Sequence, residues 1–304
     1  LPAHSTDRRL WSGSGRTAKR KEFQMKILDL IRQRSTPFYS LEFFPPKDRE
    51  EWPAFFERVV RLKAMNPLFA SVTCGAGGSV QSNTLEIATR LKRDHDVEPM
   101  PHLTCVSAKE EEFRNAGLDN LLALRGDRPR DAGPEWRPGT FSCAEELVHF
   151  IRSRGGNFGV GVAGYPAPHP ESSSFYHDRE YLRRKIETGA DFVITQLFFD
   201  TREYFELVTR LRGMGIDVPV IPIHTLASIP HTLPLYRPNI PSKFYLKLKE
   251  THDRGGTEAV KETGLRFAVA QIRRLIDGGA PGIHLYTLNR AGLCLRIAEE
   301  VGRL

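Results

Sequence analysis

From Phe23 onward, short runs of β-branched, aromatic and other apolar residues alternate with longer stretches of helical period, and this alternation constrains the fold more than any other feature. The pattern predicts strands at 38–44, 69–74, 100–105, 120–124, 158–163, 192–198, 219–223 and 282–286. It predicts helices at 23–34, 52–64, 84–94, 109–116, 143–154, 178–188, 201–213, 256–278 and 291–302. Near-continuous apolar strands separated by amphipathic helices imply a parallel sheet covered by helices. Eight strand–helix units favour closure into a (β/α)8 TIM barrel, a single domain, with an open doubly wound sheet as the structural alternative. Helix ends are marked by Ser82 or Asn83 before Thr84, by Ser142 before Cys143 and by Gly189 after Thr188. Between Ile223 and Gly256 no regular element is predicted, because Pro222, Pro230, Pro234, Pro238 and Pro241 punctuate the region.

The net charge of +7 and pI near 9.3 raise a nucleic-acid or membrane-surface reading, which depends on where the charge sits. Residues 1–22 carry Arg8, Arg9, Arg16, Lys19, Arg20 and Lys21 against Asp7 and Glu22, so +4 of the +7 lies there and +3 on the remainder. Rich in Ser, Gly and Arg, this segment reads as a solvated, disordered tail, and residues 23–304 as the barrel. The tail has neither an initiator Met nor a hydrophobic signal core, so the chain is read as a fragment or a processed form. Its Arg- and Ser-rich composition also suits a transit-peptide remnant, which makes a mitochondrial address the alternative to a cytoplasmic one. No apolar run approaches the roughly 20 residues of a membrane span, so no membrane is expected as partner. With most of the excess charge on the tail and a barrel pattern in the rest, no nucleic acid is expected either. Cys74, Cys105, Cys143 and Cys294 lack CxxC spacing, which opposes a zinc ribbon or disulfide scaffold and fits a reducing compartment.

Several motifs fail in context. Gly159-Val160-Gly161-Val162-Ala163-Gly164 spells GxGxxG, but the glycines fall inside a predicted strand, and the prolines of Tyr165-Pro166-Ala167-Pro168-His169-Pro170 delay any helix. Small residues inside a curved barrel strand are the simpler explanation. Cys74-Gly75-Ala76-Gly77-Gly78-Ser79 lacks the lysine of a phosphate-binding P-loop and reads as a flexible loop against a ligand. GxSxG is absent, and no HxxxH or HExxH pair occurs among the ten histidines, so neither a serine hydrolase nor a metal site is expected.

Polar residues gather instead at the carboxyl ends of the predicted strands. Glu42 ends the first and Thr73 the second, His102-Leu103-Thr104 the third, and Arg125-Gly126-Asp127 follows the fourth. Tyr165 and His169 follow the fifth, Gln196 sits in the sixth, and Tyr286-Thr287-Leu288-Asn289-Arg290 closes the eighth. In a parallel barrel these ends share the face on which active sites are built. Glu42, flanked by apolar residues on a buried strand, is expected to have a raised pKa, and Gln196 is expected to be a buried amide that needs partners. Asp127 has a structural alternative as the partner of Arg125 or Arg128; His102, Lys185 and Arg290 are phosphate-binding candidates with helix-end or solvated roles as alternatives.

These blocks, Ser40-Leu41-Glu42-Phe43-Phe44-Pro45-Pro46-Lys47, Ser71-Val72-Thr73-Cys74-Gly75-Ala76, Pro101-His102-Leu103-Thr104-Cys105, Ala123-Leu124-Arg125-Gly126-Asp127, Val162-Ala163-Gly164-Tyr165-Pro166 with His169-Pro170-Glu171, the run from Gly189 to Asp200, and Leu285-Tyr286-Thr287-Leu288-Asn289-Arg290, together resemble the catalytic barrel of methylenetetrahydrofolate reductases. The resemblance spans residues 38–304. It implies a barrel holding non-covalent FAD, which takes hydride from NADH or NADPH and passes it to 5,10-methylenetetrahydrofolate in a ping-pong scheme, yielding 5-methyltetrahydrofolate for methionine biosynthesis. By the same resemblance Thr73, His102, Arg125, Gly126, Asp127, Ala163, Tyr165, His169, Asp178 and Lys185 contact FAD, while Glu42, Gln196, Tyr286 and Arg290 face the folate. Glu42 is then the proton source, Asp127 stabilises cationic folate, Gln196 orients the pterin, and Tyr236 and Phe244 are candidates for a substrate-facing aromatic.

One departure stands out. The family's glycine-containing loop after the seventh strand is shortened here, since Val220-Ile221-Pro222-Ile223-His224 runs on as if about four residues were missing. The alternative function is therefore an FAD-binding but catalytically impaired paralogue or splice form that acts through partner association. The resemblance further implies a homo-oligomer, dimer or tetramer. The chain ends soon after the eighth unit, so no C-terminal regulatory domain and no allosteric inhibition are expected.

Overall fold

The computed structural model describes residues 25–74, 81–105, 110–126, 139–155, 157–225 and 242–302, together with Gly133 and Leu304. The predicted tail and Asp127 lie outside these residues. Nine strands follow in chain order: β1 Phe38–Phe43, β2 Ala70–Val72, β3 Pro99–Thr104, β4 Asn120–Leu124, β5 Gly159–Gly164, β6 Phe192–Thr195, β7 Val220–Ile221, β8 Ile223–Thr225 and β9 Gly282–Tyr286. All pair in parallel, each of β1 to β6 beside the next, with β6 joined to β7, β9 to β1 and β8 to β9. β7 and β8 are two halves of one barrel strand, so the expected eight-stranded closure is met with the seventh strand broken at Pro222. Proline has no N–H to give the ladder. The N–H of Ile223 turns instead to Thr195 Oγ1 at 2.9 Å, and Pro222 O accepts the N–H of His284 at 3.0 Å.

Alternation along each strand separates two cores. Phe38, Phe69, Met100, Leu122, Phe192, Ile194, Ile221 and Ile223 fill the barrel interior. Tyr39, Leu41, Phe43, Leu103, Leu121, Val160, Val162, Val193, Ile283 and Leu285 face outward into the layer shared with the helices. Each fully buried large side chain contributes roughly 1.5–3 kcal/mol of transfer free energy. The GxGxxG run forms β5 itself, as the strand reading requires. A Cβ on Gly161 would lie 2.7 Å from the Phe192 ring, so its glycine makes room for an aromatic neighbour inside the barrel.

The helices are α1 Ile27–Arg32, α2 Trp52–Leu62, α3 Gln81–His95, α4 Glu110–Asn115, α5 Ala144–Ser153, α6 Phe175–Glu187, α7 Thr201–Gly213, α8 Ser242–Asp277 and α9 Ala291–Val301. α1 is shorter than expected and closes the amino end of the barrel, with Ile27 in the inner core and its N–H on Asn120 Oδ1 at 2.9 Å. α3 begins at Gln81, so Ser82 and Asn83 lie within it, and Asn83 Nδ2 donates to the carbonyls of Pro46 and Lys47 instead of capping. The largest correction concerns α8, which begins at Ser242, well inside the region expected to be irregular. Its two arms meet at Gly256 (φ 64°, ψ −159°), and Phe244 stacks on Phe267 at 3.9 Å, so the first arm folds back on the second. No helix among the described residues is long and apolar enough to cross a membrane.

Candidate active site

The inward face of β1 carries Phe38, Ser40 and Glu42; by the same alternation β2 presents Ser71, β3 His102 and β9 His284. These side chains meet above the apolar floor. Glu42 Oε2 accepts a hydrogen bond from Ser71 Oγ at 2.9 Å and lies 3.3 Å from His102 Nε2 and 3.4 Å from His284 Nε2. Ser71 Oγ is also 3.1 Å from His284 Nε2, and Ser40 Oγ is 2.8 Å from His284 Nδ1. Glu42 is 4% exposed and His284 fully buried.

An isolated carboxylate so enclosed would be forced toward its neutral form. Burial does push the Glu42 pKa upward, but the imidazoles of His102 and His284 pull harder, and the net effect holds it well below the usual carboxylate range. The sequence expectation of a raised pKa is corrected on this point. Local sequence does not show the imidazoles beside Glu42, because His102 and His284 lie far from it along the chain.

The turn after β9 fixes where Glu42 sits. Thr287 donates to Glu42 O from N at 3.2 Å and from Oγ1 at 2.6 Å. Asn289 clamps Phe44 on both sides, its Oδ1 accepting Phe44 N–H at 3.1 Å and its Nδ2 donating to Phe44 O at 2.7 Å. Leu288 and Asn289 both hold positive φ (49° and 56°), a conformation that non-glycine residues adopt at a cost, and the clamp supports it.

Above the polar cluster opens a cavity of about 970 Å³ at the carboxyl ends of the strands. Glu42, Thr73, His102, Arg125, Gly126, Ala163, Tyr165, His169, Asp178, Lys185, Gln196 and Tyr286 all line it. Arg290 is not among the lining residues; it precedes α9 as its N-cap and is exposed. Gln196 is exposed, not buried as expected, and its Oε1 accepts the N–H of Leu197 at 2.8 Å. Phe244 packs with Phe199, Leu248 and Val260 in a satellite core and does not line the cavity, while Tyr236 lies outside the described residues.

One wall is built by the β5–α6 connection. Arg179, 2% exposed, donates to Tyr165 O at 2.6 Å and Pro166 O at 2.7 Å and pairs with Asp178 at 2.8 Å, while Asp178 Oδ1 accepts the N–H of His169 at 3.3 Å. Lys185 places a buried ammonium 2.5 Å from the Ala163 carbonyl, and burial pulls its pKa down to about 8 despite Asp178. His102 Nε2, buried on the cavity side, has no hydrogen bond of good geometry within the described residues. A buried cation beside a cavity of this size suits a ligand with anionic groups.

Sequence reasoning missed Ser40, Ser71, His284 and Arg179. The first three were legible in period-two alternation, since Ser40 shares a face with Glu42, Ser71 with Thr73, and His284 with Tyr286. Arg179 carried no such signal. Among the described residues, no group of three His, Cys, Asp or Glu could hold a metal ion.

The family model for methylenetetrahydrofolate reductase matches residues 26–302. The chain belongs to the methylenetetrahydrofolate reductase family. Methylenetetrahydrofolate reductase (NADH) 1 of Arabidopsis thaliana is 37% identical over 303 residues, covering 91% of this chain and 51% of that protein. Methylenetetrahydrofolate reductase 2 of Saccharomyces cerevisiae is 35% identical (92% and 50% covered), and a probable methylenetetrahydrofolate reductase (NADPH) of Caenorhabditis elegans 34% identical (96% and 46%). The chain thus spans about half the length of the curated relatives it matches. Among solved structures, an uncharacterized protein from Clostridium thermocellum that binds two copies of 5-methyl-5,6,7,8-tetrahydrofolic acid superposes with a TM-score of 0.63 at 12% identity, over 90% of this chain and 99% of that one, a likeness of fold.

Proposed function

We propose that this barrel reduces 5,10-methylenetetrahydrofolate to 5-methyltetrahydrofolate with NADH or NADPH as hydride donor, by a ping-pong scheme through non-covalent FAD. The observation that carries this is the convergence of Glu42, His102, Arg125, His169, Lys185, Gln196 and Tyr286 on one cavity in a member of this family. The bound methyltetrahydrofolate of the Clostridium thermocellum protein, on a similar fold, is in keeping with a folate substrate. FAD, when bound, supplies the hydride acceptor and donor. Lys185, His102, Arg125 and His169 would hold it, and the Arg179 clamp would keep the Tyr165–His169 wall in place.

Hydride can reach the folate methylene carbon only after the bridge opens to an iminium, which requires a proton on the leaving nitrogen. Glu42, an anion at rest, would first draw that proton from water or from a neighbouring imidazole and then pass it to the leaving nitrogen. As the resting anion it would also stabilise the cationic iminium next to it. By the family resemblance Asp127, the next residue in sequence after Gly126, would add negative charge near the folate, and Gln196 would orient the pterin.

Anaerobic mixing of the FAD-loaded chain with NADH and with NADPH tests the reading. Bleaching of the flavin followed by reoxidation with methylenetetrahydrofolate is expected, and the faster donor identifies the physiological one. Colour without bleaching would favour the impaired form that the shortened loop suggests, and a chain that retains no flavin would overturn both. Homo-oligomer formation and a cytoplasmic address complete the proposal, to be checked by light scattering and by fractionation.

A further inference from the structure

Arg125 at the end of β4 and Glu171 in the β5–α6 connection both line the cavity and hold each other in a two-pronged pair. Nη1 donates to Glu171 Oε2 at 2.5 Å and Nη2 to Oε1 at 3.2 Å. The guanidinium fork has the shape to grip a phosphate in the same bidentate way, and it cannot serve a carboxylate and a phosphate on that edge at once. We propose that Glu171 is a built-in competitor for Arg125: a phosphate-bearing ligand, of the dinucleotide class, reaches the fork only after the Glu171 carboxylate turns away, so Glu171 sets the affinity of this cavity for such ligands. The inference rests on the reading of the cavity as a dinucleotide site.

The surroundings make the exchange easy. The Glu171 side chain is 61% exposed against 33% for Arg125, so on leaving the fork the carboxylate regains water. Its backbone is tethered, with Glu171 N–H donating to His169 Nδ1 at 3.1 Å, His169 N–H reaching Asp178, and Arg179 gripping the carbonyls of Tyr165 and Pro166. Only the side chain must move, and the wall that the ligand uses stays in place. Once displaced, the carboxylate remains near the ligand's negative charge and continues to oppose it.

The test compares the parent chain with Glu171→Gln, which keeps size and hydrogen bonding while removing the charge. FAD binding is read by quenching of flavin fluorescence, ADP binding by calorimetry, and riboflavin serves as the probe without phosphate. An exposed pair of this kind is worth up to about 1 kcal/mol, so FAD and ADP are expected to bind about two- to fivefold more tightly to the variant, with riboflavin unchanged. In an Arg125→Ala background the same substitution is expected to have no more than a residual effect. Equal or weaker binding of FAD and ADP by Glu171→Gln overturns the competition and makes Glu171 a positioning residue for Arg125. A full effect that persists without Arg125 also overturns it. Failure of the parent chain to bind either FAD or ADP strikes the underlying dinucleotide reading instead.

Discussion

Of the buried glutamates, Glu42 and Glu98 lie near opposite ends of this barrel, and the surroundings drive them in opposite directions. Glu42, at the carboxyl end of β1, is flanked by two imidazoles and a serine hydroxyl and is held well below the usual carboxylate range. Glu98, immediately before β3 at the amino end, is 7% exposed. Its Oε1 accepts Asn120 Nδ2 at 2.8 Å, Lys92 Nζ stands off at 3.9 Å, and its Oε2 has no hydrogen-bond partner among the described residues. Burial pushes the Glu98 pKa up to about 7, helped by Asp119 and opposed by Lys92 and Asn120. Similar burial yields an anion at one end and, at the other, an acid that keeps its proton up to near pH 7, so partner charge, not depth, decides how readily each ionises.

Replacing Glu42 by Gln would break the comparison most severely. It is expected to leave FAD binding and the NAD(P)H half-reaction intact while slowing reoxidation by methylenetetrahydrofolate at least about 100-fold, the ordinary worth of a positioned acid–base group. Stopped-flow absorbance of the flavin separates the two half-reactions, and reoxidation at the parental rate would remove Glu42 from the chemistry.

The Glu98→Gln variant tests the opposite end through stability. Below about pH 4.5, the model-compound value, Glu98 is protonated folded and unfolded and costs nothing. Between 4.5 and 7 the unfolded chain releases the proton while the folded chain keeps it, so stability falls as pH rises and levels off above 7. The span is roughly 2–4 kcal/mol, and Glu98→Gln is expected to abolish this slope in denaturant titrations between pH 5 and 8. Glu42 carries the opposite sign. Its depressed folded pKa adds stability above about 4.5 that is lost as the pH falls below it, so the Glu42→Gln variant should differ from the parent mainly in the shape of the acid limb.

A smaller change sharpens the contrast. Lys92 pairs with Asp119 at 2.5 Å, donates to Gly117 O at 2.8 Å and is the cation that opposes the upward shift of Glu98. Lys92→Met is expected to move the Glu98 transition to higher pH and to cost about 1 kcal/mol in a partly exposed pair. A transition that stayed in place would show that Lys92 is too far from Glu98 to matter.

The barrel was legible because its strands are apolar on both faces, a pattern that local sequence carries in full. The seventh strand was read as continuous because its apolar residues are, and only the missing N–H of Pro222 divides it. The first arm of α8 was hidden by the preceding prolines, although Phe244 and Leu248 already keep helical spacing. At the site, residue types at strand ends predicted which side chains line the cavity. The charge state of Glu42 was not legible, because it depends on His102 and His284, which the fold brings beside it from far along the chain. Gln196 misled for a related reason: apolar neighbours in sequence do not determine depth where a strand has already opened into a cavity.

The hold of Thr287 on the Glu42 carbonyl joins residues 245 positions apart, and that of His284 on the carboxylate joins residues 242 apart. Contacts of such high sequence separation pay the largest loop-closure entropy and form late when a chain folds. The corner around Glu42 is therefore completed only when β9 zips onto β1. A chain still emerging from the ribosome already carries Arg125 and Lys185 but lacks His284 and Thr287, so the surroundings of Glu42 are completed last during synthesis.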